Sequence, residues 1–139
     1  MHKPTRGIIN NNPGNIDRNN IKWQGMSPDQ SGDSRFVVFT DPKWGIRAMA
    51  RILQNYAKGD VDTVREIVSK WAPPNENDTQ SYINAVDAMV EGDANTELDD
   101  KNKRIPNHIM IEFLAAIITH ENGYNPYTAV QLWEGAELA

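Results

Sequence analysis

The sequence contains no cysteine among its 139 residues. This absence excludes disulfide bonds, thiolate metal ligands and a cysteine nucleophile. The first residues also lack the apolar run of a signal peptide, and no stretch is apolar enough to cross a membrane. We therefore expect no membrane insertion, and expect that another protein delivers this one if it acts outside the cytoplasm.

Clustered positive charge is also lacking. The 14 lysine and arginine residues are scattered along the chain, and the formal net charge is -5. A nucleic acid is therefore not an expected partner. With 39% hydrophobic residues over 139 positions, the chain is predicted to form a single globular domain spanning residues 1-139.

Several catalytic signatures are missing as well. The sequence has no H-E-x-x-H, no G-x-S-x-G and no glycine-rich phosphate loop, and its three histidines lack metal-ligand spacing. We therefore predict no metal and no cofactor.

Apolar residues at helical spacing and capping residues predict five helices. The first is capped by Asp41 and ends at Gly59, and the second is capped by Thr63 and ends before Pro73. The third is capped by Asp78 or Thr79 and ends at Gly92. The fourth runs from Pro106 to Glu121, and the fifth from Tyr127 to Leu138. Two short strands, 16-23 and 35-40, are predicted to pair as a hairpin. The predicted class is α+β, mainly helical, with a small strand lobe.

Glu121 is the most informative residue, because it ends the most apolar helix. Met110, Phe113, Leu114, Ile117 and Ile118 form the apolar stripe that precedes it. Burial and a helix C-terminus both disfavour an ionised carboxylate, as a general acid requires. The simpler alternative is that Glu121 points to water while Gly123 closes the helix in a left-handed cap.

Three segments combine asparagine, tyrosine and tryptophan with glycine or proline: residues 10-23, 71-82 and 120-124. Each alone is typical of a turn or of a buried core. Together they indicate one cleft, and a lone carboxylate in such a cleft suits cleavage of a glycosidic bond. Aromatic faces suit the apolar face of a pyranose ring.

At these residues the chain resembles two groups of enzymes that cut bacterial cell-wall glycan. The likeness to glucosaminidases is carried by Asn11-Asn12-Pro13-Gly14-Asn15-Ile16, Trp23-x-Gly25, Phe36-x-x-Phe39, Gly45-Ile46-Arg47-Ala48 and Tyr56. Glu76-x-x-Thr79-x-x-Tyr82 is similar to the Glu-Thr-x-x-Tyr element of lytic transglycosylases, with one extra residue between Glu and Thr. Thr79 and Tyr82 therefore carry over.

In those families the catalytic glutamate ends a helix that precedes the asparagine-rich element. Here the helix that ends at Glu121 comes last, so the resemblance implies a circularly permuted lysozyme-like fold. The whole chain is also similar to a group of phage virion and lysis-type proteins, with Arg6-Gly7-Ile8 and the His120-Glu121-Asn122-Gly123 ending among the shared features. That likeness implies a phage virion or the host cytoplasm before release as its location, and makes other virion proteins candidate partners.

The predicted function is cleavage of the β-1,4 bond between N-acetylmuramic acid and N-acetylglucosamine in peptidoglycan glycan strands. Glu121 is the predicted acid, and Tyr82 orients it or steadies the transition state. The predicted substrate-binding residues are Asn12, Asn15, Trp23, Trp71 and Thr79.

The type of reaction depends on a second carboxylate, for which Asp17, Asp33 and Asp41 are candidates. If none faces Glu121, a lytic transglycosylase that forms an anhydro sugar is expected. One alternative function is a non-catalytic virion structural or wall-binding module. Another is a helical adaptor anchored by Trp44, Trp71 or Trp133, which predicts exposed tryptophans and no concave groove.

Overall fold

The computed structural model describes residues 3-72, 78-90 and 94-139. Within these ranges the chain forms six helices: α1 (Arg6–Ile9), α2 (Pro42–Lys58), α3 (Val64–Trp71), α4 (Thr79–Met89), α5 (Asn107–Asn122) and α6 (Ala129–Leu138). None of these helices combines the length and apolar character needed to span a bilayer. The mainly helical character predicted from the sequence is confirmed.

The predicted capping residues explain where the helices begin. Asp41 accepts a hydrogen bond from the Lys43 amide at the start of α2, and Pro42 occupies the first turn. Thr63 accepts from the Glu66 amide and caps α3, and Asp78 caps α4 in the same way through Ser81. Gly123 closes α5 at a left-handed φ of 79°.

Helix α5 lies at the centre of the fold, where it packs against α1, α2, α4 and α6. Every member of its predicted apolar stripe is buried: Met110, Phe113, Leu114, Ile117 and Ile118. Burying these side chains fixes the rotation of α5 about its axis. That rotation sets the direction in which the residues of its last turn point.

The prediction of a β-hairpin was wrong. In the described residues, segments 16-23 and 35-40 form no regular strands and meet through one isolated antiparallel bridge, Asp17 with Phe36; a second bridge joins Met26, beyond the first segment, to Phe39. Side chains form hydrogen bonds with backbone groups that would pair with each other in a regular sheet. The Gln30 amide, for example, donates to the Val38 carbonyl and accepts from the Val38 amide.

The short helix α1 was not among the five predicted helices, because a single turn of four residues leaves no periodic pattern to detect. Three predicted features lie outside the described residues: the Pro73-Pro74 helix stop, Glu76 of the transglycosylase-like element, and the Gly92 helix stop.

Candidate active site

The asparagine-rich segment, residues 10-15, forms an ordered loop that we call the asparagine loop. Asn12 is completely buried, accepts a hydrogen bond from the Ile16 amide at 3.0 Å, and donates to the carbonyls of Ile16 and Val37. Asn11 and Asn15 adopt left-handed φ values of 54° and 51°. Asparagine tolerates this conformation better than most residues, so the residue type suits the shape of the loop.

Asn122 connects the asparagine loop to the end of α5. Its side-chain amide donates to the Pro13 carbonyl at 2.8 Å, and its side-chain oxygen accepts from the Thr5 hydroxyl at 2.6 Å. Asn122 is buried, so these bonds are shielded from water. They hold residues from opposite ends of the sequence against each other.

Helix α2 supports the loop from the other side. Gly45 packs so closely beneath the loop that a Cβ atom at this position would overlap the carbonyl oxygen of Asn11. Only glycine allows this approach of helix and loop. The asparagine loop is therefore fixed both by α5 and by α2.

Glu121 lies in the last turn of α5 and is partly buried. Its Oε1 atom accepts a hydrogen bond from the Asn15 side-chain amide at 3.2 Å. Glu121 lines a pocket of about 380 Å³ together with Gly14, Asn15, Asp17, Arg35, Phe36, Trp71 and Ala72. We call this the Glu121 pocket.

Tyr82, on α4, packs against this end of α5. Its ring is fully buried and stacks on His120 with ring centroids 3.8 Å apart. Burial raises the pKa of the Tyr82 hydroxyl far above its usual value, and the Glu121 carboxylate raises it further through its negative charge and as a hydrogen-bond acceptor. The hydroxyl has no hydrogen bond of regular geometry to a described residue, so its contact with Glu121 is a loose one.

A second carboxylate, Asp17, lines the same pocket. It is exposed, and Arg35 donates to it at 2.6 and 3.5 Å. The guanidinium of Arg35 also lies 4.9 Å from the centre of the Phe36 ring. The pocket thus contains two carboxylates: Glu121, which accepts a hydrogen bond from the Asn15 amide, and Asp17, which forms an ion pair with Arg35.

The other two candidate carboxylates have structural partners. Asp33 is buried and accepts from the Arg6 guanidinium at 2.6 and 2.7 Å and from the Asn10 amide at 2.8 Å. The hydrogen bond from Arg6 is the main reason that the pKa of Asp33 lies well below its usual range. Asp41 is exposed and caps α2. Neither of them lines the Glu121 pocket.

The structure brings together three of the predicted site residues, Glu121, Asn15 and Trp71, in the Glu121 pocket. Tyr82 lies behind Glu121. Thr79 donates its hydroxyl to the carbonyl of Ala72, and it therefore supports the pocket wall from outside.

Asn12 and Trp23 lie elsewhere. The Asn12 side chain has no exposed surface, and its hydrogen bonds go to the backbone, so its place in the structure is that of a support for the loop. Trp23 is partly buried and lines a different depression formed by residues 19-30. The structure does not bring either residue into the Glu121 pocket.

Four lining residues were not among the predicted site residues: Gly14, Ala72 and, with a charged or aromatic side chain, Arg35 and Phe36. Phe36 was named only as part of the resemblance to glucosaminidases, and Arg35 was not named as a site residue. Their segment comes close to Glu121 only after the chain has folded, so spacing gives no local signal. Asp17, which was predicted as a candidate second carboxylate, is the sequence signal that could have indicated the part of the pocket formed by Arg35 and Phe36.

The fold and the pocket define a small, mainly helical protein in which the last turn of the central helix brings a carboxylate to a polar pocket. No protein-family model matches the chain. The chain is 36% identical to Protein P5 of Pseudoalteromonas phage PM2 over 141 aligned positions, which cover 99% of this chain and 83% of that protein. It therefore belongs to the family of this phage protein.

Proposed function

We propose that the protein is a peptidoglycan-cleaving glycosidase that acts on the β-1,4 bond between N-acetylmuramic acid and N-acetylglucosamine. The observation that carries this proposal is the Glu121 pocket, where a partly buried carboxylate receives a hydrogen bond from Asn15 beside the ring of Trp71. Membership in a phage protein family agrees with it, since a phage must cross the bacterial wall.

Glu121 is the proposed general acid. The burial of the α5 stripe fixes the direction of its side chain, and the bond from Asn15 holds the carboxyl group in place. In that position it protonates the leaving oxygen of the glycosidic bond and afterwards takes a proton back as a base. The pocket volume of about 380 Å³ lies within the range of small-ligand sites.

Tyr82 is the proposed positioning residue for this acid. Its raised pKa keeps the hydroxyl neutral, so it can donate a hydrogen bond to Glu121 or to charge that develops beside it. The indole of Trp71 offers an apolar face to a sugar ring, and the Asn15 amide offers polar atoms to its hydroxyl groups.

The proposed reaction is that of a lytic transglycosylase. Asp17 is the one predicted second carboxylate that lines the pocket, and both of its carboxylate oxygens accept hydrogen bonds from Arg35. Without a free carboxylate to activate water, a hydroxyl of the substrate itself attacks the sugar, and an anhydro end forms.

A circularly permuted lysozyme-like fold is part of the proposal. In the enzymes that the sequence resembles, the catalytic helix precedes the asparagine-rich element. In this chain the two elements lie at opposite ends, yet Asn122 bonds directly to Pro13 and to Thr5. A helix end and a loop that remain neighbours without a direct connection are what a permutation would leave.

The test is mass analysis of glycan released from purified peptidoglycan by the wild type, Glu121→Gln and Asp17→Asn. We expect anhydro ends from the wild type and from Asp17→Asn, and almost no product from Glu121→Gln. Reducing ends that disappear with Asp17→Asn would instead indicate a hydrolase with two carboxylates.

The two alternative functions predict different results. A non-catalytic wall-binding or virion structural module would bind peptidoglycan and release nothing from it. A helical adaptor requires exposed tryptophans and no groove, whereas Trp71 is partly buried in a concave pocket and Trp133 is the exposed tryptophan among the described residues. The structure therefore favours a ligand-binding protein over an adaptor.

A further inference from the structure

Three carboxyl groups from two separate loops meet outside the Glu121 pocket. Asp62 lies between α2 and α3, and Glu97 and Asp99 lie between α4 and α5. One oxygen from each of the three lies within 4.8 Å of the others. The two loops are fixed to each other by a bridge between Thr63 and Glu97 and by a bond from the Leu98 amide to the Asp62 carbonyl at 2.8 Å.

The cluster is not neutralised by the protein. Asp62 is only 5% exposed, and the side chain that approaches its carboxylate within hydrogen-bonding distance is Asp99, itself a carboxyl group. The Oδ2 atom of Asp99 is likewise buried without a hydrogen-bond partner. Lys103 is the basic group whose charge reaches the cluster, but its amine is bound to Asp60 at 2.5 Å.

Such an arrangement is unfavourable unless something positive occupies it. Burial raises the pKa of Asp62, and the neighbouring carboxyl groups of Asp99, Glu97 and Glu66 raise it further. A divalent cation would neutralise two charges and coordinate all three groups.

We propose that Asp62, Glu97 and Asp99 bind a calcium ion. A ligand set made only of oxygen atoms selects a hard cation. Oxygens placed about 2.3 to 2.6 Å from one Ca²⁺ lie up to roughly 5 Å apart, which accommodates the observed limit of 4.8 Å. Mg²⁺ requires shorter bonds and near-ideal octahedral geometry, which suits loop carboxylates less well. Water and backbone carbonyls would complete the coordination shell.

The ion would act as a clamp for the chain that leads into α5. The segment that carries Glu97 and Asp99 continues to Ile105, whose backbone bonds to the buried Gln54 side chain at 2.8 and 2.9 Å. Helix α5 begins two residues later, at Asn107. Calcium would therefore stabilise the entry to the helix whose opposite end carries Glu121, and would take no part in the reaction itself.

The test uses the full chain after removal of metal with a chelator. Titration with CaCl₂ at pH 7.5 should show one site with a Kd of about 10⁻⁴ to 10⁻³ M, the range of low-affinity calcium modules. Excess Ca²⁺ at about ten to a hundred times Kd should raise the Tm by roughly 5 to 10 °C. An equal concentration of Mg²⁺ should have a smaller effect, and tighter binding of Mg²⁺ would overturn the assignment to calcium.

Two variants and a control make the test specific. Asp62→Asn should abolish the calcium-dependent rise in Tm, and without calcium it should melt at or above the wild-type temperature because a buried repulsion is removed. Glu97→Gln changes an exposed member of the cluster and should weaken binding at least about tenfold while leaving the fold intact. Glu134→Gln, an exposed position on α6, should behave as the wild type. Absence of binding by the wild type, or an unchanged calcium response in Glu97→Gln, would overturn the proposal.

Discussion

The side-chain amide of Asn15 donates a hydrogen bond to the carboxylate of Glu121 at 3.2 Å, across a sequence separation of 106 residues. This bond joins the asparagine loop to the last turn of α5. It depends on the left-handed backbone at Asn15 and on the buried apolar stripe of α5, which set the positions of the two side chains. The candidate acid is therefore positioned by elements from both ends of the chain.

Replacing Asn15 with glycine should separate positioning from folding. Glycine accepts the left-handed φ of 51° but removes the amide. The acid that donates a proton is uncharged, and a hydrogen bond between uncharged groups is worth about 0.5 to 1.5 kcal/mol, so the rate of peptidoglycan cleavage should fall about 2- to 10-fold, with little change in the circular dichroism spectrum. Asn15→Ala should lose the same activity and also melt at a lower temperature, because alanine is strained at this φ. Full activity in Asn15→Gly would show that the bond does not position the acid.

Replacing Tyr82 with phenylalanine should lower activity without lowering stability. The substitution keeps the buried ring and its stacking on His120, and it removes a hydroxyl that has no regular hydrogen bond. We expect a Tm within about 2 °C of the wild type and a loss of at least about tenfold in the maximal cleavage rate. A normal rate with a changed Tm would assign Tyr82 to the core alone.

Asp33 should make stability depend on pH in the acid range. Its pKa in the folded protein lies below the ordinary value of 3.8, chiefly because of the hydrogen bond from Arg6. A lowered folded-state pKa means that the stabilisation is fully present above about pH 4 and is lost as the pH falls further. Asp33→Asn should thus cost about 2 to 3 kcal/mol in urea unfolding at pH 7, and about 1 kcal/mol less than that at pH 3. A difference that is equal at both pH values would contradict this role.

Gly45 should be intolerant of any side chain. A Cβ atom there would overlap the Asn11 carbonyl oxygen, which belongs to the backbone and cannot rotate away. Gly45→Ala should destabilise the protein by about 2 kcal/mol or more, as expected for overpacking, and should disturb the asparagine loop. Gly32→Ala is the matched control, because nothing lies within 4 Å of a Cβ at that position. Equal melting temperatures for the two variants would show that the close approach is unimportant.

The sequence was informative wherever a structure depends on local pattern. The apolar stripe and the cap at Gly123 predicted α5, and Asp41, Thr63 and Asp78 predicted the starts of three helices. The strands were predicted wrongly because alternating residues in 16-23 and 35-40 resemble a hairpin. Their backbone groups bond instead to the side chains of Asn12 and Gln30, and sequence periodicity contains no sign of such long-range bonds.

The candidate site was predictable in part for the same reason. Glu121 lies at a helix end, where local reasoning works, and Asn15 lies in a composition-biased loop. Arg35 and the Asp62 cluster depend on contacts between distant loops. The expectation of no metal came from histidine and cysteine spacing, which cannot reveal carboxylates brought together by two loops.

The most direct measurement is the clearing of purified peptidoglycan by the wild type, Glu121→Gln and the matched control Glu134→Gln. Glutamine keeps the size of the side chain, and its side-chain oxygen can still accept the hydrogen bond from Asn15. It has no carboxyl proton to donate. We predict that Glu134→Gln clears at the wild-type rate and that Glu121→Gln is slower by a factor of about 10² to 10⁴, the usual contribution of a general acid. Clearing by Glu121→Gln at the wild-type rate, or no clearing by the wild type, would contradict the proposed role of Glu121.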